Sequence, residues 1–400
     1  ELTINESSLS SNQGTGLGGE GGATVTVTRS VISGNVGISR RFWEQAGGIS
    51  LFNSDLNLSH STISGNRAKR GADGRHGSPG GGQVEDPPVH GGEDGGQGGG
   101  IYCYESTLAI RLSTIANNSA GKGGRALVHS PEFFPIAERY AGAEGQGGGI
   151  VIDGDNALVV LENSIVASNN GSSAEDILLQ TGSLDLQGNN FIGSNESVEA
   201  LAPESELVGI ADDRKSPMLA SLADYGGPTH TMLPFPESPV TGALAIPQID
   251  PDQRNLLRSD ASPGSLGAAQ YLGLADMLKL WSTDLDRDGR AYGVERLQGT
   301  DPSRPNHSAT PTLQISTDVE GTTINFPLAP DNLPEIGWQV LRGTSLEVFT
   351  VLVSSEDVDA GQLPDGLTLS ETDSGIEILD HTAPGDHAFY ALQSILTPSE

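Results

Sequence analysis

One six-residue phrase recurs along the first half of this chain, and its spacing restricts the fold more than any other feature. It reads Ser-Val-Ile-Ser-Gly-Asn at 30–35 and Ser-Thr-Ile-Ser-Gly-Asn at 61–66, with looser copies at 7–12, 113–118 and 164–169. Gly-Gly-Ile precedes three copies, ending at Ile49, Ile101 and Ile150. From Ile49 to Asn66 is 17 positions, as it is from Ile101 to Asn118, and from Ile150 to Asn169 it is 19. Fixed internal spacing with variable filler marks a stack of structural repeats. The uninterrupted period, Asn12 to Asn35, is 23 residues. That is shorter than helix-pair repeats of roughly 33–47 residues and within the range of solenoids built from short strands.

The filler favours strands. Thr24-Val25-Thr26-Val27-Thr28 alternates strictly, as do Leu56–Ser59 and Leu108–Ile110, and alternation is the signature of a half-buried strand. Stacked coils align equivalent positions into columns. Leu9, Ile32, Ile63, Ile115 and Val166 are expected to form an aliphatic stack in the core. Asn12, Asn35, Asn66, Asn118 and Asn169 form a second column at a turn. There each amide can hydrogen-bond to the next coil about 4.8 Å away; a turn former tolerant of left-handed backbone would give the same residue.

Two insertions interrupt the stack, at about 67–97 and 119–146. Each leaves after the Asn of one coil and returns at the next Gly-Gly-Ile. Both are therefore expected to emerge from one corner and lie side by side, where solenoids usually bind. The aromatic groups Phe42-Trp43 and Phe133-Phe134-Tyr140 are candidates for stacking on sugars or for burial under these loops. The first insertion also gathers Asp73, His76, Glu85, Asp86, His90, Glu93 and Asp94, without a recognisable metal-ligand spacing.

The formal net charge is −31, which argues against nucleic acid or an anionic membrane surface as partner. No apolar run is long enough to span a membrane. Cys103 is the single cysteine, so no intramolecular disulfide forms and the thiol is expected in the core. Glu1 begins inside a coil, so further upstream sequence is expected.

The coil phrases are followed by SPMLASLADYGGPTHTMLPFPESPVTGA at 216–243, DQR at 252–254 and SLGAAQY at 265–271. Together they resemble the bacterial surface proteins called choice-of-anchor Q domain proteins, related to polymorphic outer-membrane-protein and right-handed parallel β-helix repeats. The resemblance covers about 1–271, and Ser265–Gln270 departs from the closing phrase usual in that family. It implies a right-handed, single-stranded parallel β-helix that is secreted or attached to the cell surface, with no assigned catalysis.

From 272 the chain changes. Asp284, Asp286 and Asp288, then Gly289, Arg290 and Glu295, fit the D-x-D-x-D-G-x5-E loop. Carboxylates at positions 1, 3, 5 and 12 and the Arg290 carbonyl at position 7 would supply oxygens to Ca2+. Three carboxylates two residues apart repel each other without a cation. With Gly299-Thr300-Asp301-Pro302, the stretch resembles dockerin and thrombospondin type 3 calcium loops. The incoming segment Leu274–Trp281 is only modestly helical, so a single loop is expected rather than a pair. Residues 311–396 then alternate over six short runs, from Thr312–Thr317 to Ala388–Leu392, which predicts a small antiparallel sandwich.

The organisation expected is thus an all-β chain: coils over 1–215, a capping region over 216–271, a calcium-loop linker over 272–310 and a small β-sandwich over 311–400. The expected function is a monomeric, secreted or surface-exposed adhesin-like protein that binds extracellular glycans or other surface ligands. The alternative is a polysaccharide lyase or glycoside hydrolase on a pectate-lyase-like β-helix. Hydrolysis needs two carboxylates across a groove. The chain offers only Asp212-Asp213 outside the coils and Arg75-His76-Gly77 in an insertion, so no catalytic residue is assigned.

Overall fold

The computed structural model describes all residues except 39–45, 77–88, 91, 126–140, 174, 199–206, 245–249, 259–263, 282, 286–287, 299, 301, 303–313, 318–320, 328–335, 346–347, 373–374, 383–388 and 397–400. The chain divides into two compact units, Glu1–Leu272 and Gly273–Glu400.

The first unit is a parallel β-helix of three sheets, to which successive coils contribute strands in turn. One sheet stacks Leu2–Asn5, Thr24–Thr28, Asp55–Ser59, Thr107–Arg111, Leu158–Glu162 and Ser183–Gln187. The second stacks Ser8–Ser10, Val31–Ser33, Thr62–Ser64, Thr114–Ala116, Ile165–Ala167 and Phe191–Ile192. The third stacks Leu17–Glu20, Ile49–Phe52, Ile101–Tyr104, Ile150–Asp153 and Ile177–Leu179.

The aliphatic columns set the register. Leu9, Ile32, Ile63, Ile115, Val166 and Ile192 are consecutive partners in the second sheet. Val25, Leu56, Leu108, Val159 and Leu184 align in the first, and Leu17, Ile49, Ile101, Ile150 and Ile177 in the third. All enter one continuous core, with Cys103 inside it. Burial pushes the Cys103 thiol up to about 12, so it is a packed, unreactive group.

The repeated Gly before each of these Ile residues has a steric cause. A Cβ on Gly48, Gly100 or Gly149 would lie 2.3, 2.6 or 2.3 Å from a carbonyl oxygen of the next coil. Between the first and second sheets the chain turns through left-handed residues, Arg29, His60, Leu112 and Asn163, at φ 43°, 48°, 46° and 50°. Such residues cost energy outside glycine, and the serine that follows each of them offsets it. Ser30, Ser61 and Ser113 donate their backbone N–H to the hydroxyl of Ser61, Ser113 and Ser164, at 3.1, 3.2 and 3.1 Å.

The described residues of 216–271 lie along the flank of the second sheet and reach every coil. Asn255 donates to Glu6 at 3.1 Å, Thr229 to the Arg29 carbonyl at 3.1 Å, and Thr62 to Gln253 at 2.7 Å. Further along, the Ala268 N–H meets the Thr114 hydroxyl at 3.0 Å, and Asn189 the Ala243 carbonyl at 2.7 Å. Val240, Leu244 and Leu266 pack on Leu112, Ile165, Ala167 and Phe191. The outer face of the second sheet is thereby buried, which explains why Thr62–Ser64 and Thr114–Ala116 are buried at every position. The Asp-Gln-Arg phrase holds the segment together: Asp252 Oδ2, fully buried, accepts from Arg254 at 2.8 Å and from the Gln270 N–H at 3.1 Å.

The second unit opens with helices α1 (Leu274–Leu280) and α2 (Tyr292–Gln298). Two antiparallel sheets follow. One orders Gln314–Thr317, Thr322–Phe326, Gly375–Asp380 and Leu367–Thr372; the other orders Val348–Ser354, Ile336–Ser345 and Phe389–Leu396. Ile324, Phe326, Ile376 and Ile378 from the first meet Trp338, Val340 and Val353 from the second, with Leu297 of α2 joining the same core. Strand Leu367–Thr372 and helix α3 (Ser355–Asp359) were not read from the sequence. The helix carries a capping box, with Ser354 and Asp357 bonding reciprocally, and the Ser-x-x-Asp spelling was its signal.

Candidate functional site

The two insertions begin and end in a common structure at one corner of the β-helix. Outgoing segments 67–74 and 119–125 and returning segments 92–98 and 141–147 bind one another through backbone hydrogen bonds. The N–H groups of Gly71 and Gly74 donate to Lys122 and Arg125, both at 2.9 Å. Those of Glu93 and Gly96 donate to Ala72 and Lys69, at 2.9 and 2.7 Å. Gly121 and Gly124 donate to Gly96 and Glu93, both at 2.8 Å; Gly142 and Gly145 donate to Gly124 and Gly121, at 2.9 and 2.8 Å.

Within each segment these donors are three residues apart, where a β-ladder would space them by two. Three residues per turn is the polyproline II period, a conformation that leaves backbone groups free to bond laterally. Glycine is required because the chains touch. A Cβ on Gly71 or Gly121 would sit 1.8 Å from a neighbouring carbonyl oxygen, and on Gly124 or Gly142 1.9 Å. At their described ends the glycine-rich insertions therefore form a fin. Their tips, with Glu85, Asp86 and the aromatic groups Phe133-Phe134-Tyr140, lie outside the described residues, as does Phe42-Trp43.

Three acidic residues of the insertions, Asp73, Glu93 and Asp94, tie the fin together. Asp73 accepts from the Arg125 N–H at 2.8 Å and from Arg70 at 2.6 Å. Asp94 accepts from the Ala143 N–H at 2.7 Å, and Glu93 pairs with Lys69 at 3.1 Å. The backbone bond to Arg125, aided by Arg70, holds the Asp73 carboxyl below its usual range. Strand Arg75–His76 pairs antiparallel with Val89–His90. Asp212-Asp213 lies in a turn closed by the Ile210–Asp213 bridge.

Sequence reasoning missed the basic residues of the fin. Arg67, Arg70, Lys122 and Arg125 are exposed on the outgoing segments. Parallel pairing sets Arg67 beside Ser119, and the Gly71 and Gly74 bonds set Arg70 beside Lys122 and Asp73 beside Arg125. On the third sheet Phe52 and Tyr104 stack, with ring centroids 5.4 Å apart and planes 4° from parallel. Sequence could have shown this pair, one position before each turn in successive coils.

Asp284, Asp288 and Arg290, expected from the sequence to bind calcium, fall between α1 and α2, and Glu295 lies inside α2. Asp284 Oδ2 accepts from the Gly289 N–H at 3.0 Å, curling the chain back on itself. Asp288 accepts from the Arg290 N–H at 2.9 Å. Glu295 is fully buried, and its Oε1 accepts from Thr300 at 3.2 Å. Gly289 has φ 95° with nothing near a would-be Cβ, so its role is the turn itself. Asp286 lies outside the described residues. Among the described residues no three His, Cys, Asp or Glu side chains converge as a metal group. Asp284, Asp288, Arg290 and Glu295 would each offer an oxygen, the donor type that a hard cation takes.

No protein-family model, curated protein or solved structure matches the chain.

Proposed function

We propose that this chain is a secreted or cell-surface β-helical protein that binds extracellular glycans or other surface ligands through the fin formed by its two insertions. The observation that supports it most is the fin itself. Glycines packed with no room for a Cβ hold two loops side by side, and long loops gathered on one face of a solenoid are where ligands usually bind. The likeness of its coil phrases and of the Ala-Asp-Tyr-Gly-Gly-Pro-Thr stretch to choice-of-anchor Q domain proteins supports a surface location. The protein works as a monomer, and its loop at 284–295 takes one Ca2+ that stiffens the second unit. Asp284, Asp286, Asp288 and Glu295 would hold the ion, with the Arg290 carbonyl.

A glycan array probed with the full chain in calcium tests the binding reading, with product detection on the same glycans. Binding that is lost when the insertion tips are shortened supports it. No bound glycan, or cleavage of any of them, sinks it.

A further inference from the structure

The outgoing segments of the fin carry an excess of positive charge, unlike the chain as a whole. Its outgoing segments, 67–74 and 119–125, carry Arg67, Lys69, Arg70, Lys122 and Arg125 against one acid, Asp73. Its returning segments, 92–98 and 141–147, carry Glu93, Asp94 and Glu144 and no base. Lys69 is bound to Glu93, and Arg70 to Asp73. Arg67, Lys122 and Arg125 are exposed and form no ion pair among the described residues. In a chain of net charge −31 with 21 basic residues in all, this excess of bases on two adjacent segments stands out. The polyproline II period brings residues three apart into line at roughly 9 Å intervals. Arg67 and Arg70 therefore line one chain, and Lys122 and Arg125 the chain beside it.

We infer that this basic face of the fin binds an anionic polysaccharide of the polyuronate type. The inference rests on the glycan reading above and names its ligand class. A linear polyuronate offers carboxylates at regular intervals along an extended chain, which matches cations repeated along two parallel rods. Guanidinium groups pair with carboxylates bidentately, and the surrounding acidic surface repels anions elsewhere and so guides the polymer to this face. Double-stranded nucleic acid, with its denser charge, meets the repulsion of the whole chain and is disfavoured.

The experiment titrates the full chain with polygalacturonate, alginate, the neutral glucan dextran and a single-stranded oligonucleotide, at low and high salt. The uronates are expected to bind, to weaken as salt rises, and to bind about tenfold or more weakly to R67Q/R70Q/K122Q/R125Q. The pair K122Q/R125Q, which breaks no side-chain ion pair, shows a smaller loss in the same direction if the larger variant misfolds. R29Q, at the turn between the first and second sheets and so at another corner of the coil, retains binding. Equal binding of dextran, preference for the oligonucleotide, or full retention in both fin variants overturns the inference while leaving a glycan reading possible. Absence of binding to every glycan overturns both.

Discussion

Asn169 donates both its backbone N–H and its side-chain amide to a single oxygen of Asp176, at 3.1 and 2.9 Å. Each Asn upstream does the same to the next Asn: Asn12 to Asn35, Asn35 to Asn66, Asn66 to Asn118 and Asn118 to Asn169, with amide distances of 2.8 to 3.0 Å. The column is a ladder with a direction, and it ends on a carboxylate instead of another amide.

That ending makes stability depend on pH. Burial is the main cause that pushes the Asp176 carboxyl up to about 6, against bonds from Asn169 that favour its ionised form. A carboxyl raised in the folded state keeps its proton where the unfolded chain has lost it. Stability therefore falls as pH rises from about 4 to about 6, by on the order of 3 kcal/mol. Denaturant titrations at pH 4 and pH 7 of the parent and Asp176→Asn check this. The variant should lose this component, and an unchanged pH profile would refute the assignment.

Removing an inner rung should cost more than removing the outer one. Asn66 accepts twice from Asn35 and donates to the Ile32 carbonyl at 2.9 Å and to Asn118 at 3.0 Å, all while buried. Asn66→Ala leaves buried donors without acceptors, at about 3 kcal/mol. Asn12→Ala, at an exposed position, should cost under about 1 kcal/mol. Chemical denaturation of the two variants ranks them.

Gly124→Ala should loosen the fin without melting the rod. The new methyl meets the Ala72 carbonyl at 1.9 Å, and nothing in the β-helix core touches it. Limited proteolysis is expected to cut within 67–97 and 119–146 at least about tenfold faster, while the main thermal transition moves by less than about 3 °C.

In the second unit, Arg342 and Asp380 form a pair at 2.6 Å in which the carboxylate is fully buried. Burial works against its ionisation, and the bonds from Thr382, Arg342 and Tyr390 outweigh that and keep the pKa low. Arg342 is the single basic residue of 311–400. Arg342→Met strands the buried charge and should destabilise this unit by about 2 kcal/mol, less than for a fully enclosed pair because the guanidinium is partly exposed. A lower unfolding midpoint for this unit alone is the expected result.

Calcium should raise the melting temperature of the second unit by several degrees at concentrations about 100-fold above Kd. Chelator should reverse the rise, and Asp284→Ala or Asp286→Ala should abolish it. Identical melting curves with and without chelator would remove calcium from the description.

The repeated phrase made the coils, the aliphatic columns and the Asn ladder legible, because a stacked repeat writes its register into the spacing of residues such as Ile32, Ile63 and Asn66. The serine ladder was equally written there, as the first letter of the phrase, but Ser at a turn has too many uses to be singled out. The fin was legible only as glycine content. Its order depends on the pairing of Gly71 with Lys122 and of Gly96 with Lys69, contacts across the two insertions that no local pattern encodes. The basic face escaped for a related reason: Arg70 and Lys122 are 52 positions apart, counted as Asn66 to Asn118 is, and become neighbours only through that pairing. Asp176 escaped because the last rung is spelled with a different residue, 7 positions after Asn169.

A solenoid ordinarily touches only its nearest repeats and can fray coil by coil from an end. The flank segment changes that behaviour. Its bonds join residues 139, 154, 191 and 249 positions apart, through Arg111–Asp250, Thr114–Ala268, Thr62–Gln253 and Glu6–Asn255. A coil at the open end cannot peel away without also freeing this splint from its neighbours. Mechanical load along the rod is shared among all coils, and the long loop that must close before the splint docks makes docking a late, slow step of folding.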